Sequence, residues 1–351
     1  MVIKKRKIGN TDLEVSELGM GTAPIGGWPV VVSPDQAHGT LNAAWENGIR
    51  YFDTAPLYGS GMAEERLGKF LKVKKRNEFV VATKIGRLVV PSLEGNEKFK
   101  GQDPNKDTVF DFSYDGVMRS YEESLKRLQL DSVDVLNLHD PDNHPDHLGE
   151  AKKGAIKAMI KLKEEKAVKA LGCGLNQNEM LVELSKEGCF DCFLLAGRYT
   201  LLDQSSLDEL IPLCKSNNIS LVLGGVFNSG ILIEPSPNTY FDYTQLDELW
   251  FENAKKNFVA ATLADAIDTT GVSADPGDAF TMTVPAGAGG DAVAHKFTIV
   301  ALDVDVPAGS ANAGFAISQA STGGGVVATV AAAIIDAING TVNAAVGYGG
   351  G

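Results

Sequence analysis

Residues 113–139 read Ser113-Tyr-Asp-Gly-Val-Met-Arg-Ser-Tyr-Glu-Glu-Ser-Leu-Lys-Arg-Leu128-Gln-Leu-Asp-Ser-Val-Asp134-Val-Leu-Asn-Leu-His139. A serine precedes a stretch with amphipathic spacing, which predicts a helix over Tyr114–Leu128 with Ser113 as its N-cap. The apolar run that follows predicts a buried strand over Asp134–His139. A helix followed by a buried strand is the repeating unit of a parallel α/β sheet.

The same alternation extends in both directions from this unit. The predicted strands are Leu18–Thr22, Tyr51–Thr54, Phe79–Lys84, Asp134–His139, Val168–Leu175, Cys192–Ala196 and Ser220–Gly225. The predicted helices are Pro34–Asn47, Glu64–Leu71, Tyr114–Leu128, Glu150–Glu165, Glu179–Lys186 and Leu207–Ser216, and a polar loop is predicted before Phe112. Seven consecutive units predict a closed (β/α)8 TIM-type barrel. An open dinucleotide-binding sheet is disfavoured because Gly19-Met-Gly21-Thr-Ala-Pro24 lacks the third glycine of that fingerprint.

An eighth βα unit is not recognisable, and the composition changes abruptly near residue 257. Residues 1–257 contain 31 of the 32 Lys and Arg, whereas residues 258–351 contain only Lys296, no Arg and no Glu. We therefore predict two domains, a barrel over 1–257 and an Ala/Gly/Thr-rich α+β segment over 258–351.

The C-terminal segment has its own pattern of elements. Helical sequence at Leu246–Lys256 is followed by turns over Asp265–Asp278, strands at Ala279–Val284 and Lys296–Val304, and an Ala-rich helix at Val326–Asn339. Two interpretations stay open: a separate small module, or a foreign segment that replaced the end of the barrel. Phe297–Leu302 is the one candidate here for a barrel-closing strand.

The overall charge and cysteine usage limit the partners and the compartment. The formal net charge of −13 argues against nucleic acid and anionic membranes, and no apolar run approaches the length of a membrane span. Four cysteines in a chain of 351 residues give no disulfide framework. We expect a cytoplasmic protein whose basic start, Lys4-Lys-Arg-Lys7, is a solvated strand.

Four ionisable side chains are predicted at the ends of neighbouring strands. Asp53 ends the second strand, Tyr58 lies in the loop after it, Lys84 ends the third strand and His139 the fourth. The carboxyl ends of barrel strands form the active-site face, so these groups should converge. A nearby ammonium lowers the pKa of a tyrosine, which makes the phenol a useful proton donor. Lys84 fits that role, with Asp53 as its carboxylate and His139 orienting the reacting oxygen.

These motifs resemble those of the aldo-keto reductases. The resemblance is carried by Asp53-Thr-Ala-Pro-Leu-Tyr58-Gly59, Thr83-Lys84 and Leu136-Asn-Leu-His139-Asp140, with support from Gly59-Ser-Gly-Met-Ala-Glu64-Glu65-Arg66-Leu67-Gly68 and Ser124-Leu-Lys-Arg-Leu128. Within the family, Gly224-Gly-Val-Phe-Asn228-Ser229-Gly230 and Tyr240-Phe-Asp-Tyr243 look most similar to the D-threo-aldose (L-fucose) 1-dehydrogenase and pyridoxal 4-dehydrogenase branch. The resemblance covers about residues 5–243.

The resemblance implies a hydride transfer between NAD or NADP and a carbonyl or sugar hydroxyl, with a sugar or aldehyde as substrate. Tyr58 would be the general acid or base, assisted by Lys84, Asp53 and His139. The cofactor residues that it implies are Gly21 and Thr22 beside the nicotinamide ribose, Asp53, Asn176 at the carboxamide, and Asn228, Ser229 and Gly230 at the pyrophosphate. Gly224 stands where many relatives stack an aromatic ring on the nicotinamide, so the resemblance implies that this stacking is absent. No stretch resembles the family's clamp for the adenosine phosphate, so either NAD or NADP fits.

Several alternatives stay open beside the hydride-transfer hypothesis. A catalytically inactive barrel fragment fused to a structural or foreign module would have the same strands, and a Schiff-base aldolase would use Lys84 alone. The loop His139-Asp140-Pro-Asp142-Asn-His144-Pro-Asp146-His147 is rich in metal-ligand types, but we interpret it as a solvated loop. Cys189 and Cys192 have C-x-x-C spacing without a second pair, so burial is the preferred interpretation, as for Cys173 and Cys214.

Limited proteolysis tests the predicted domain boundary. Two modules should yield a protease-resistant fragment ending near residue 257, because exposed linkers between domains are cut first. The fragments are identified by mass spectrometry. A barrel that uses the C-terminal segment for closure would instead lose its fold when cut there.

Overall fold

The computed structural model describes residues 3–92, 99–232, 240–241, 244–245 and 251–252, and the backbone of three strands between 279 and 319. The chain divides into two compact units, one of residues 1–198 and 205–224 and the other of residues 199–204 and 225–351. The predicted turns at 265–278, the predicted helix at 326–339 and all but Phe251–Glu252 of the predicted helix at 246–256 lie outside the described residues.

The first unit alternates strands and helices. Its strands are Lys5–Lys7 (β1), Glu14–Ser16 (β2), Gly19–Gly21 (β3), Tyr51–Asp53 (β4), Val80–Ile85 (β5), Arg87–Pro91 (β6), Lys106–Phe110 (β7), Val135–His139 (β8), Ala170–Leu175 (β9), Cys192–Ala196 (β10) and Ser220–Gly224 (β11). Its α-helices are Pro34–Glu46 (α1), Met62–Leu71 (α2), Tyr114–Leu128 (α3), His147–Glu150 (α4), Ile156–Glu164 (α5), Asn178–Ser185 (α6) and Leu210–Asn217 (α7). None of the helices in the described ranges combines the length and apolar character needed to cross a bilayer.

Seven of these strands form one parallel sheet in the order β3-β4-β5-β8-β9-β10-β11, curled into a nearly closed barrel. Its strands are short and mostly buried, as expected when helices cover a parallel sheet. The predicted (β/α)8-type fold is therefore confirmed. Helix α3 and strand β10 have the predicted bounds, and Ser113 caps α3 by accepting a hydrogen bond from the Gly116 N–H at 3.0 Å.

The predicted polar loop between the third strand and Phe112 is wrong over two segments. Strands β6 and β7 pair antiparallel in a hairpin that follows β5 directly, with Gly86 at a φ of 102° as the joint. The hairpin is attached to α3, because the Ser120 hydroxyl donates to the Arg87 carbonyl at 2.9 Å. Each strand contains a short run of apolar or β-branched residues, Leu-Val-Val in β6 and Thr-Val-Phe in β7, and the surrounding polar sequence obscured this signal. The helical segment predicted from Glu150 begins at His147 and passes through a π-helical turn at Ala151–Ala155.

The N-terminal hairpin of β1 and β2 packs across the amino-terminal ends of the barrel strands. Its exposed first strand is confirmed, while Ile8, Leu13 and Val15 are buried against the strand starts in one apolar cluster with Tyr51, Ala82, Val135, Ala170 and Cys192. The Ser220 hydroxyl, at the start of β11, accepts the Gly9 N–H at 2.8 Å and donates to the Lys7 carbonyl at 3.2 Å. The hairpin thus contacts strands across the sheet, from β4 to β11.

The second unit contains antiparallel strands. Tyr240–Phe241 (β12) pairs with Thr244–Gln245 (β13), and Val293–Leu302 (β15) lies between Ala279–Val284 (β14) and Gly314–Gln319 (β16). The strands predicted at 279–284 and from Lys296 are confirmed, and the second begins three residues earlier. Phe297–Leu302 lies within β15, both edges of which are occupied by antiparallel partners, so its candidacy as the barrel-closing strand is wrong.

Replacement of Leu13 by alanine tests the importance of the N-terminal hairpin. Leu13 is 6% exposed, and Leu13→Ala should lower the free energy of unfolding by about 2–5 kcal/mol through lost burial and the cavity created. Leu18→Ala is the matched control, because Leu18 is 56% exposed and should change stability by about 0.5 kcal/mol or less. Urea denaturation measures both. Equal effects would show that the hairpin does not close the core.

Candidate active site

The strand ends bring the predicted catalytic side chains into one region. Asp53 is the last residue of β4, Lys84 is next to last in β5, and His139 is the last residue of β8. Tyr58 follows β4 in a series of turns stabilised by Gly59, whose φ is 65°. A Cβ at Gly59 would collide with the Gly26 carbonyl oxygen, so glycine allows this loop to pack against the 3-10 turn at Pro24–Gly26.

Lys84 is buried and has partners on three sides. Its side chain is 1% exposed, and Nζ lies 2.5 Å from Asp53 Oδ1 and 2.9 Å from the Thr54 carbonyl oxygen. Nζ also hydrogen-bonds Tyr58 and lies 4.8 Å from the centroid of its ring. Burial acts to lower the pKa of Lys84, but the charges and hydrogen bonds of Asp53 and Tyr58 outweigh it and raise the pKa. The ammonium therefore stays charged beside the phenol.

His139, at the end of β8, packs against Tyr58. The two ring centroids are 6.0 Å apart and the rings are nearly perpendicular, at 89°. The ring of Phe99 also lies near Tyr58, at a centroid distance of 6.1 Å, and the ring of Trp28 lies 6.0 Å from that of Phe99. The four predicted residues thus converge, and two aromatic side chains that the sequence did not single out form a wall beside the phenol.

Arg87 and Asp140 are further charged residues at this site that the sequence analysis did not assign. Arg87 Nη2 lies 3.0 Å from Asp140 Oδ2, which in turn lies 3.5 Å from His139 Nε2. Burial acts to raise the pKa of Asp140, but the charges of His139 and Arg87 outweigh it and lower the pKa. The position of Asp140 next to His139 is a sequence signal, whereas Arg87 could be found only once its strand was identified.

The predicted nicotinamide residues of the first unit fit a polar ligand. Gly21 ends β3 with open space where a Cβ would stand, and Gly224 ends β11. Thr22 Oγ1 and Asp53 Oδ2 are buried and have no hydrogen-bond partner within the described part of the chain. Buried polar atoms of this kind usually have a partner, and the ribose hydroxyls of a nucleotide would supply one. Asn176 follows β9 directly and is half-buried.

The loop predicted to hold the pyrophosphate belongs to the second unit. Asn228–Gly230 form a 3-10 turn, with positive φ values of 46°, 59° and 92°. The N–H groups of Asn228 and Gly230 donate to the Gly225 and Phe227 carbonyls within this turn, at 2.8 and 3.0 Å. A role in phosphate binding therefore depends on the Ser229 N–H and on side-chain donors.

The cysteines that the sequence offered as another candidate site are buried or partly buried. Cys173, Cys192 and Cys214 are buried, and burial raises the pKa of Cys192 to about 12 and that of the partly buried Cys189 to about 11. Thiols with raised pKa values are poor nucleophiles, in agreement with the preferred interpretation. Across the residues that the structure describes, no group of three or more His, Cys, Asp or Glu could hold a metal ion.

Comparison with known proteins identifies the family of this strand-end arrangement. Residues 17–266 match the sequence profile of the Aldo/keto reductase family. The chain belongs to this family. It is 42% identical over 249 residues to a D-threo-aldose 1-dehydrogenase of Pseudomonas sp, covering 68% of this chain and 74% of the relative. It is 40% identical over 259 residues to a pyridoxal 4-dehydrogenase of Microbacterium luteolum, covering 68% and 75%.

Solved structures agree with this assignment. A glycerol dehydrogenase from Gluconobacter oxydans is similar with a TM-score of 0.58 and 25% identity, over 74% of this chain and 78% of the other. An aldo-keto reductase from Bacillus halodurans is similar with a TM-score of 0.57 and 26% identity, over 76% and 78%. As a member of the family, the protein is an NAD(P)-dependent oxidoreductase.

A double-mutant cycle on Asp53 and Lys84 tests whether the buried pair is charged. Asp53→Asn or Lys84→Met alone should lower the free energy of unfolding by about 3–5 kcal/mol, because each leaves one buried charge unpaired. The double variant should recover most of this loss, since both charges are then absent. Urea denaturation of the four proteins measures the coupling. Simple additivity would contradict a charged pair.

Proposed function

We propose that this aldo/keto reductase oxidises an aldose at its anomeric hydroxyl, or reduces an aldehyde in the reverse sense, with Tyr58 as the general acid or base. The observation that carries the proposal is the Tyr58 phenol hydrogen-bonded to a buried ammonium that Asp53 keeps charged. Two relatives with about 40% identity are named for the dehydrogenation of an aldose and of pyridoxal, which supports this substrate class.

The charged pair explains how a tyrosine can exchange a proton near neutral pH. The Lys84 ammonium stabilises the phenolate of Tyr58, so the phenol gives up its proton more readily than in water. In the oxidation, the phenolate accepts the proton of the anomeric hydroxyl while the carbon loses a hydride and the sugar becomes a lactone. In the reduction, the phenol donates its proton to the carbonyl oxygen. His139, whose ring packs edge-on against Tyr58, orients that oxygen.

The bound nicotinamide supplies or accepts the hydride. For its binding we propose Thr22 and Asp53 at the ribose, Asn176 at the carboxamide and Gly21 as open space beside them. Gly224 offers no aromatic ring for stacking on the nicotinamide, and Asn228, Ser229 and Gly230 are proposed for the pyrophosphate. Either NAD or NADP fits these residues, and fluorescence titration with NADH and NADPH decides between them.

The aromatic wall favours a substrate with a flat apolar face. Phe99 is buried and contacts both Trp28 and Tyr58, so the two rings are fixed beside the phenol. Sugar rings and pyridine aldehydes both have such a face together with polar edges, which suit the charged side chains of Lys84 and Asp53 beside the phenol. We accordingly propose a neutral sugar or an aromatic aldehyde in preference to a small aliphatic one.

A second proposal is that the chain is an inactive barrel fragment in a fusion. It is motivated by the composition change near residue 257 and by the absence from the sequence of a basic clamp for the adenosine phosphate. A chain of this kind would show no cofactor binding by fluorescence titration and no turnover with aldoses or aldehydes. Binding of either nicotinamide would exclude it.

The phenol is tested by Tyr58→Phe. Turnover of an aldose should fall roughly 10²–10⁴-fold, because only the chemical step uses the hydroxyl, while cofactor affinity should stay within about two-fold. Tyr114→Phe is the matched control, because Tyr114 is 39% exposed at the start of α3 and should retain full activity. Steady-state kinetics and cofactor titration measure the two effects. Full activity in Tyr58→Phe would refute the assignment.

A further inference from the structure

His139 has a carboxylate at the edge of its ring that carries Nε2. Asp140 Oδ2 lies 3.5 Å from His139 Nε2 and 3.0 Å from Arg87 Nη2, so the three side chains form a row. The His139 and Arg87 side chains are largely buried, at 7% and 11% exposed, while that of Asp140 is 27% exposed. A carboxylate in such a setting is only partly screened by water, so it pairs with the Arg87 guanidinium and would stabilise a protonated His139.

Asp140 is held in place by its own backbone. Its φ is 46°, in the left-handed region that only glycine, asparagine and aspartate adopt readily. The Asp140 N–H donates to the Gly174 carbonyl at 3.1 Å, which continues the register of β8 with β9 for one more residue. An unusual backbone conformation next to a candidate catalytic residue is a common sign of function.

Arg87 is fixed equally well. Its guanidinium lies over the ring of Phe110 at 3.8 Å from the centroid, and its carbonyl accepts the Ser120 hydroxyl of α3. Both contacts come from the β6–β7 hairpin and from the helix behind it. Arg87 is therefore held by β7 and α3, and the Asp140 carboxylate cannot move away from His139 without losing its ion pair with Arg87.

The 3.5 Å separation between Nε2 and Oδ2 is longer than a normal N–H to O hydrogen bond. At that distance the carboxylate still favours a proton on Nε2, because opposite charges a few ångströms apart stabilise each other. The carboxylate does not form a full hydrogen bond with the Nε2 N–H at 3.5 Å, so the same N–H can donate to a substrate oxygen. A shorter contact would bind the proton to Asp140 and compete with the substrate.

We propose that Asp140, held by Arg87, is a positioning residue that keeps a proton on His139 Nε2 for donation to the reacting oxygen. The use of that proton rests on the proposed function, whereas its presence on His139 does not. A positively charged imidazole would stabilise the oxygen on which negative charge develops in either direction of the reaction. Asp140 is also predicted to determine how far above neutral pH the enzyme stays active.

Other charged groups around the same pocket act on His139 as well. Within the described residues they are Asp53 at the end of β4, Tyr58 after it, Lys84 in β5, Arg87 in β6 and Asp142 two residues beyond Asp140. Lys84 and Arg87 disfavour a charged imidazole, and Asp53 is already paired with Lys84. Asp140 is the carboxylate that directly contacts the ring, so its removal should have the larger effect.

Titration of His139 by NMR tests this arrangement without requiring activity. The full chain is labelled with ¹³C-histidine, and the His139 signal is assigned by its loss in His139→Gln. Asp140→Asn should move the His139 midpoint to lower pH by about 1–3 units, because the carboxylate no longer stabilises the protonated ring. Asp140→Gly should do the same and accepts the positive φ, so it serves if the asparagine variant does not fold.

Asp146→Asn is the matched control. His144 Nδ1 lies 3.6 Å from Asp146 Oδ2, but both side chains are exposed, at 58% and 81%. Solvent screens the Asp146 carboxylate, so Asp146→Asn should move the His139 midpoint by less than about 0.5 units. Asp140→Glu should restore most of the His139 midpoint. An unchanged His139 midpoint in both Asp140→Asn and Asp140→Gly would overturn the proposal, whatever the activity of the chain.

Steady-state kinetics test whether turnover depends on the protonation of His139. In Asp140→Asn, the alkaline limb of the pH profile of kcat/KM for aldehyde reduction should move to lower pH by the same amount as the NMR midpoint. Tyr58→Phe should instead lose rate at every pH. A profile that stays unchanged while the NMR midpoint moves would show that His139 protonation is not used, which contradicts the catalytic part of the proposal and leaves the proposed function of Tyr58 intact.

Discussion

A buried ammonium must be paired, and in this protein that requirement connects the strand register with the chemistry. Lys84 reaches Asp53 only because β4 and β5 are parallel and Asp53 is opposite Ala82, which places the two side chains on one side of the sheet. Gly174 of β9 lies beside the stem of Lys84, and a Cβ at this position would make an ordinary van der Waals contact with Lys84 Cε at 3.4 Å. A shift of one residue between these strands would leave a charge buried without a partner.

The opposite face of β5 carries a second buried polar system. Thr83 donates to Glu64 Oε1 at 2.6 Å, and Arg127 Nε donates to Glu64 Oε2 at the same distance. Glu64 is fully buried in α2, and Arg127 comes from α3, so two helices are fixed to the strand that carries Lys84. Because side chains alternate along a strand, Thr83 and Lys84 lie on opposite faces of the sheet. The position of the ammonium is therefore defined from both sides of the sheet.

The sequence predicted most of this arrangement because its signals are local. Apolar runs and helix caps predicted the seven parallel strands, and their ends predicted the convergence of Asp53, Tyr58, Lys84 and His139. The β6–β7 hairpin was missed because its polar partner residues resemble a loop when no neighbouring strand is known. Arg87 was missed with it, since its role depends on a contact with Asp140 across 53 positions of sequence. The aromatic wall of Trp28 and Phe99 likewise depends on distant segments that no periodicity connects.

The composition change and the end of the family match fall at different residues. The family match continues to residue 266, past the composition change at 257, while β15 has antiparallel partners at both edges. The content of charged residues depends on the surface that a segment exposes, whereas strand pairing depends on its fold. The composition and the fold of a chain therefore need not change at the same residue.

The order of the strands separates catalysis from closure of the barrel. Asp53, Lys84 and His139 belong to β4, β5 and β8, each of which has parallel neighbours on both sides. Gly21 and Gly224 belong to β3 and β11, the two ends of the seven-stranded sheet. The N-terminal hairpin contacts β11, because the Gly9 N–H donates to the Ser220 hydroxyl. The residues proposed for proton transfer thus lie at the centre of the sheet, whereas the two glycines proposed for the nicotinamide lie on its end strands. Within the described sheet an end strand has a hydrogen-bonded neighbour on one side only, so the central strands are held by more backbone hydrogen bonds than the strands that carry the glycines.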